Sequence, residues 1–374
     1  MEGEIRILLA GGGTGGHIFP AIRIAQHLKE QWGARCRFIG TKSGLENIKV
    51  PQAGFVLKNI WISGLHRRLD LRNILFPLKV MISLMQSKRE IREFQPDLVI
   101  GTGGYVSGPV LYQASRMGIP TAIQEQNSFP GITTRLLSGR VNLVLIAYEE
   151  ALRYLKKVRA YKIVGNPVTI SRGKVNRKEA CKAFDLDPGK PVILVFGGSQ
   201  GARNLNRAMD VLLSGGRLDQ IQMIWQTGKS NFDQYREKYN GRADSGLRLY
   251  PFIDRMDLAY GASDLAICRA GAMTLAEIAA AGLPAILVPL ASAAGNHQFK
   301  NAQTISAGGG ALIVEDDDKT AENLAAALKT ILSSPERKKE MSENIGHFYH
   351  PDCLETMTEE FSRLIKSAES GEPG

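Results

Sequence analysis

Gly11-Gly12-Gly13-Thr14-Gly15-Gly16-His17-Ile18-Phe19-Pro20 is the stretch on which the fold turns. It follows a short apolar run, Ile5–Ala10, which reads as a β-strand. It precedes Ala21–Trp32, whose Ile22, Ile24, Ala25 and Leu28 recur at helical spacing. The glycines therefore lie in a strand-to-helix turn, and Pro20 has its φ set for a first helical turn. Glycines let the backbone pass close to a ligand, and a helix N-terminus offers unpaired N–H groups and a positive dipole end. That combination suits a phosphate or another anion. The spacing Gly11-x-Gly13-x-x-Gly16 also fits the dinucleotide fingerprint, which further asks for an acid ending the second strand to hold a ribose. The second strand reads Cys36–Gly40, Thr41-Lys42 follow it, and the first acid, Glu46, lies beyond. A nicotinamide or flavin dinucleotide is thereby disfavoured.

Composition narrows the field further. The 374 residues are enough for two domains of ordinary size. The net charge of +10 favours an anionic partner. Cys36, Cys181, Cys268 and Cys353 are far apart, so neither a zinc site nor a disulfide framework is expected, and a reducing cytoplasmic compartment fits. The N-terminus runs straight into a strand, with no signal peptide in evidence. No apolar run reaches the about 18 residues that crossing a bilayer needs.

Strand and helix patterns alternate almost to the end, which predicts a doubly wound α/β architecture with parallel sheets. The first half gives strands at Ile5–Ala10, Cys36–Gly40, Phe55–Ile60, Leu98–Gly101, Thr121–Gln124, Leu143–Ala147 and Lys162–Val164. The turn Gly165-Asn166-Pro167-Val168 and the basic stretch Ser171–Lys178 then mark a domain boundary. A second series follows at Val192–Phe196, Gln222–Gln226, Leu247–Tyr250, Leu265–Cys268, Ala285–Pro289 and Ala311–Val314. It opens as the first did, with a strand, the turn Gly197-Gly198-Ser199-Gln200-Gly201 and a helix. Ligands of such sheets bind outside the carboxyl ends of the strands, so two facing domains would leave a cleft for two substrates. The tail Pro351–Ser367 reads as an amphipathic helix.

Several loops fall at those carboxyl ends. Gly101-Thr102-Gly103-Gly104-Tyr105 is a second glycine-rich turn in the first half, and two such turns on one edge suit a diphosphate. Gln124-Glu125-Gln126-Asn127 clusters polar groups suited to sugar hydroxyls. In Arg269–Glu277 small residues allow close approach, and Glu277, about one turn into a helix, can accept from two ribose hydroxyls. Asn296 reads as the cap of a helix carrying His297 and Gln298 in its first turn. The segment 65–92 interleaves Arg67, Arg68, Arg72, Lys79, Lys88, Arg89 and Arg92 with aliphatics, is broken by Pro77, and suits an anionic membrane surface. Asp185-Leu186-Asp187 has the form of a metal-holding motif but precedes its strand. Asp316–Asp318 reads as a helix-capping turn. No metal site is indicated, and no GxxxxGK[ST] loop is present.

Taken together, Gly-Gly-Thr-Gly-Gly-His at 12–17, Gly-Gly-Tyr-Val-Ser-Gly-Pro at 103–109, Glu-Gln-Asn at 125–127, Gly-Asn-Pro-Val at 165–168, Gly-Gly-Ser-Gln-Gly at 197–201, Arg-Ala-Gly-Ala-Met-Thr-Leu-Ala-Glu at 269–277 and His-Gln at 297–298 resemble the MurG family. These peptidoglycan glycosyltransferases move GlcNAc from UDP-GlcNAc onto undecaprenyl-diphospho-MurNAc-pentapeptide. The matches run in order over nearly the whole chain. The resemblance implies a GT-B fold of two Rossmann-like domains facing a cleft. Residues 1–164 would take the acceptor and face the membrane, 165–350 would take the UDP-sugar, and 351–374 would pack back on the first domain. It implies an inverting transfer to the MurNAc 4-hydroxyl at the cytoplasmic face of the bacterial inner membrane. The segment 65–92 would rest on that surface.

The resemblance also implies site residues. Gly12, Gly13, Thr14, Gly103, Gly104 and Tyr105 would meet the acceptor diphosphate. His17 would be the general base, with Glu125 and Asn127 beside it; Thr14, Gly15, Gly16 and Asn127 would also reach the donor. Ser199 would touch the nucleotide, and Phe252, Ile253 and Met256 would border the uracil. Ala272, Met273 and Thr274 would meet the donor diphosphate, Glu277 the ribose, and His297, Gln298 and Asn301 the GlcNAc. No cofactor is implied, and a divalent cation is optional. Three positions depart from the family pattern. Gln124 stands where a His is usual. Thr169 stands where an Arg is usual, with Arg172 as a substitute. The loop Ala291–Gly295 is plain. Other GT-B enzymes such as glycolipid synthases, and UDP-GlcNAc epimerases, would share much of this pattern. A nucleic-acid binder would instead need exposed stacking aromatics among its basic residues, and the basic segment here is mixed with aliphatics.

Overall fold

The computed structural model describes residues 4–64, 74–170, 173, 175–198, 201–216, 221–240 and 246–370. The chain divides into two compact units: Met1–Pro167 with Asp352–Gly374, and Val168–Pro351. Among the described residues the first unit holds a seven-stranded sheet: β1 (Arg6–Gly11), β2 (Arg35–Gly40), β3 (Val56–Asn59), β4 (Leu98–Gly103), β5 (Thr121–Glu125), β6 (Leu143–Ile146) and β7 (Tyr161–Ile163). Their spatial order is β3-β2-β1-β4-β5-β6-β7, and every neighbouring pair is parallel. The second unit repeats the plan with β8 (Val192–Phe196), β9 (Gln222–Gln226), β10 (Leu247–Tyr250), β11 (Leu265–Cys268), β12 (Ala285–Leu287) and β13 (Ala311–Ile313), in the order β10-β9-β8-β11-β12-β13. All thirteen strands stand where the apolar runs predict them, with ends moved by at most two residues.

Both sheets wind outward from their first strand and then reverse. The reversal lies between β1 and β4 in the first unit and between β8 and β11 in the second. At such a switch point the connections leave on opposite faces and a crevice opens at the carboxyl edge. The strands there are buried on both sides, which is why they read as unbroken apolar runs: Ile7, Leu8, Leu9 and Ala10 are all 0% exposed.

One face of the first sheet is covered by the helix Gly15–Trp32 through Ile18, Ile24, Ala25 and Leu28, and by the tail helix Cys353–Ser370. The tail presents Cys353, Met357, Phe361 and Ile365, one residue per turn, to that core. The other face packs against Ile91, Phe94, Val106, Val110 and Leu111. In the second unit Trp225 is fully buried, and its indole N–H donates to Asn206 Oδ1 at 3.1 Å.

Three expectations are corrected. The first helix begins at Gly15, not at Pro20, which lies inside it. Thr14 O accepts from the amides of His17 and Ile18, so the turn closes early, and the missing N–H of Pro20 forfeits only one later bond. His17 thus belongs to the first helical turn. Pro77 does not break its segment; it is the second residue of the helix Phe76–Phe94, where the absent amide hydrogen is no loss. Finally, Asn296 takes the N-cap position in a left-handed conformation (φ 57°) and its side chain makes no cap. Residues 65–73 of the basic segment lie outside the described residues.

Phe361 is 0% exposed although it comes from the last helix. Phe361→Ala should destabilise the first unit by about 3–5 kcal/mol, read as an earlier urea midpoint.

Candidate active site

β1 and β4 leave the first sheet side by side, and each feeds a glycine turn into a helix. The second of those helices is Gly104–Arg116. Gly103 and Gly104 have φ of 102° and 76°, which side-chain-bearing residues rarely adopt. A Cβ on Gly103 would stand 2.7 Å from His17 Nδ1, and one on Gly104 would stand 2.5 Å from Gly12 O. The two turns are therefore in contact because both lack side chains. The Tyr105 ring packs over Gly13, and Gly13, Thr14 and Gly16 are exposed. Gly12, Gly13, Thr14, Gly15, Gly16, Gly103, Gly104 and Tyr105 are thus brought to one edge, with two helix N-termini opening there.

The β1–β4 register shifts at this edge. Ala10 pairs with Gly101 and Gly11 with Gly103, so Thr102 is passed over. Its carbonyl leaves the ladder and is satisfied by side chains: His17 Nδ1 lies at 3.0 Å and Gln126 Nε2 donates at 2.8 Å. The Thr102 hydroxyl donates to His17 O at 2.8 Å, which ties the turn to the helix. His17 Nδ1 also lies 3.0 Å from Gln126 Oε1.

Glu125 and Asn127 stand close to this group but hold one another. Glu125 is 2% exposed. Its Oε1 accepts from the backbone and side-chain amides of Asn127, both at 3.1 Å. Its Oε2 accepts from Gly131 N at 3.2 Å and Thr134 Oγ at 2.6 Å. With both oxygens engaged by its own loop, Glu125 shapes the loop 125–134. The polar cluster 124–126 is fully buried, not a solvated loop.

Glu46, set aside in the sequence because it lies beyond β2, returns to the first glycine turn. It is 0% exposed, and it accepts from Gly13 N at 3.2 Å, Thr41 N at 3.0 Å and Thr41 Oγ at 2.9 Å. A Cβ on Gly12, Gly40 or Gly44 would collide with its side chain. Those three glycines make room for a carboxylate that fixes the turn from beneath.

In the second unit, Ser199 and Arg172 lie outside the described residues. The helix Ala272–Ala281 starts just past β11 and presents the amides of Ala272, Met273 and Thr274 in its first turn. Glu277 lies one turn further on, half-buried, and Tyr260 donates its hydroxyl to Glu277 Oε2 at 2.9 Å. Burial first, and the Glu277 carboxylate next, push the Tyr260 hydroxyl well above its ordinary range, so it stays a donor. Phe252 is exposed, while Ile253 is buried with its N–H donated to Gln226 Oε1 at 2.8 Å. Gln226 Nε2 donates to Gly198 O at 3.0 Å, so one amide side chain links the segment 252–253 to the glycine turn after β8. Met256 begins the helix that carries Tyr260. Thr169 is exposed and lines one pocket with Arg255, Asp257 and Tyr260.

Gln298 accepts from Leu290 N at 2.9 Å and closes the loop before it. Asn301 is fully buried and donates to Ala270 O at 3.4 Å, bracing the loop after β11. His297 is half-buried beside them. Arg269 forms a buried ion pair with Asp316 at 2.8 Å and donates to Val288 O at 2.9 Å, which joins the ends of β11, β12 and β13. Asp316 is therefore a loop anchor and not a helix cap. Asp185 pairs with Arg248 at 2.7 Å. Glu46, Tyr260 and Gln226 carry no sequence motif of their own, and the motifs that hold Gln126, Arg269 and Asp316 give those residues no such role. Only the glycines flanking Glu46 hint at one of them.

Two family models match the chain: the glycosyltransferase family 28 N-terminal domain over residues 7–146 and the glycosyltransferase family 28 C-terminal domain over 192–357. The chain is 41% identical over 370 residues to a Christiangramia forsetii protein, covering 98% of this chain and 100% of that one. It is 40% identical to one from Flavobacterium psychrophilum, covering 98% and 100%. Both are named UDP-N-acetylglucosamine–N-acetylmuramyl-(pentapeptide) pyrophosphoryl-undecaprenol N-acetylglucosamine transferase. Among solved structures, MurG of Acinetobacter baumannii superposes with a TM-score of 0.78 at 29% identity, covering 96% of this chain and 100% of that one. Two switch-point sites with glycine turns, matched end to end by sugar-transferring relatives, have one explanation: the chain belongs to glycosyltransferase family 28, and within it to the MurG family.

Proposed function

We propose that the protein transfers GlcNAc from UDP-GlcNAc to the 4-hydroxyl of MurNAc in undecaprenyl-diphospho-MurNAc-pentapeptide, with inversion at the sugar C1. The observation that carries this is His17, held by Thr102 and Gln126 where two glycine turns and two helix N-termini meet. A diphosphate-linked acceptor fits those amides, and His17 stands beside them to take the hydroxyl proton. As the acceptor oxygen bonds to C1, the bond from C1 to the UDP oxygen breaks. The charge left on UDP is stabilised at the amides of Ala272, Met273 and Thr274, and Glu277 accepts from the ribose hydroxyls. Fixed amide dipoles supply that stabilisation, so the transfer needs no metal. The relatives named above carry the same donor and acceptor in their names.

We further propose that the protein is peripheral at the cytoplasmic face of the inner membrane. Among the described residues no helix is long and apolar enough to cross a bilayer. Support comes from the helix Phe76–Phe94, whose outward side is apolar over its first half. Its buried residues are Ser83, Ser87, Ile91 and Phe94, whereas Leu78, Met81 and Met85 are 41–66% exposed, and Ile74 and Leu75 just before it are exposed too. Lys79, Lys88, Arg89 and Arg92 accompany them. A solvated basic face over an apolar core would have the opposite arrangement; exposed apolar residues ringed by cations suit an anionic lipid surface.

Labelled GlcNAc should pass from UDP-GlcNAc to a lipid-linked MurNAc-pentapeptide analogue, and Glu277→Ala should lower kcat/KM for UDP-GlcNAc roughly 30- to 100-fold. No transfer by the native chain, with UDP still bound, would redirect the acceptor assignment. Excess EDTA should leave the native rate unchanged; a loss restored by magnesium would overturn the metal-free mechanism. Met81→Glu with Met85→Glu should reduce sedimentation with anionic vesicles by roughly tenfold or more, and unchanged sedimentation would exclude this helix as the membrane contact.

A further inference from the structure

Gln124, Gln126 and Asn166 form a buried chain of amides behind His17, with exposures of 0%, 1% and 6%. Each amide has an oxygen end and a nitrogen end, so each link fixes the next. The chain is anchored at a backbone carbonyl. Asn166 Nδ2 donates to Gln126 O at 3.1 Å, a partner that only accepts. Asn166 Oδ1 must then accept, and Gln124 Nε2 donates to it at 3.0 Å. Gln124 therefore turns its Oε1 toward Gln126, whose Nε2 shares its two hydrogens among that oxygen, Gln124 O and Thr102 O, the last two at 2.8 Å. Turned the other way, Gln126 would set its oxygen against three acceptors. Its Oε1 is thus the end that faces His17 Nδ1 at 3.0 Å.

His17 Nδ1 consequently meets two acceptors, Gln126 Oε1 and Thr102 O, and no donor. A neutral imidazole has one N–H, and it must lie on Nδ1 to satisfy both. The lone pair is left on Nε2, for which no partner is recorded among the described residues. We propose that Gln126, held by Gln124 and Asn166, is a positioning residue that fixes neutral His17 in its Nδ1–H form and so keeps Nε2 as the proton-accepting nitrogen. This rests on His17 being the base. It also gives Gln124 a role of its own: at the position where the family usually has His, an amide passes the polarity from Asn166 to Gln126.

The test is nitrogen NMR of the full chain with ¹⁵N-labelled histidine, His17 being assigned by its loss in His17→Gln. In its neutral form His17 of the native chain should show a protonated Nδ1 and an unprotonated Nε2. In Gln126→Leu the two neutral forms should mix, and kcat should fall at least tenfold with KM for UDP-GlcNAc and for acceptor unchanged. A native His17 that is neutral with its proton on Nε2 overturns the proposal without any variant. So does a Gln126→Leu protein that keeps both the Nδ1–H form and the native kcat. Native kcat in His17→Gln would overturn the base role by itself, which separates that failure from a failure of the tautomer assignment.

Discussion

One carbonyl taken out of a β-ladder organises the glycine-turn edge of the first unit. Where β4 passes over Thr102, its C=O loses its place in the sheet and must be satisfied by something else. His17 and Gln126 meet it, and their arrival draws the first turn of one helix and the end of β5 to the same point. The parallel order β1-β4-β5 makes this possible, because three strands then end on one edge. The glycines of both turns keep the edge thin enough for contact, and Glu46 holds the first turn from below. A register slip in a parallel pair has thus become the anchor point of a histidine ring.

The second unit solves the matching problem with buried polar ties. Gln226 links two loops, Tyr260 orients Glu277, and Arg269 with Asp316 joins three strand ends. None of these groups stands on a flexible stem in water. Each is held by partners whose own desolvation would be unfavourable if the tie opened. Loops that are irregular in sequence are therefore tied together by their own side chains.

The sheets were legible because strands buried on both faces are written as apolar runs, and β1, β8 and β11 are the plainest cases. The turns were legible because glycine has few other reasons to cluster after a strand. What stayed hidden was polarity inside the core. Glu46 looked misplaced for a ribose contact, since sequence distance says nothing of a chain that folds back beneath its own first turn. Glu125 read only as a neighbour of His17, since a motif records a residue type and not the four donors already around it. The helix Phe76–Phe94 has the composition of an ordinary amphipathic surface helix, and only its burial reveals that serines face inward and methionines outward.

The tail helix Cys353–Ser370 completes the core of a unit whose other residues end at Pro167. A ribosome adds about 5–20 residues per second, so the intervening Val168–Pro351 delays that helix by roughly ten seconds or more. Throughout that interval the first sheet waits with part of one face uncovered, while the second unit has all of its own sequence and can fold. Synthesis through the tail helix thereby becomes a condition for a finished first unit. A chain that stops before the tail helix carries a second unit with all of its own sequence and a first unit with an open apolar seam, which is the kind of surface that chaperones and proteases engage.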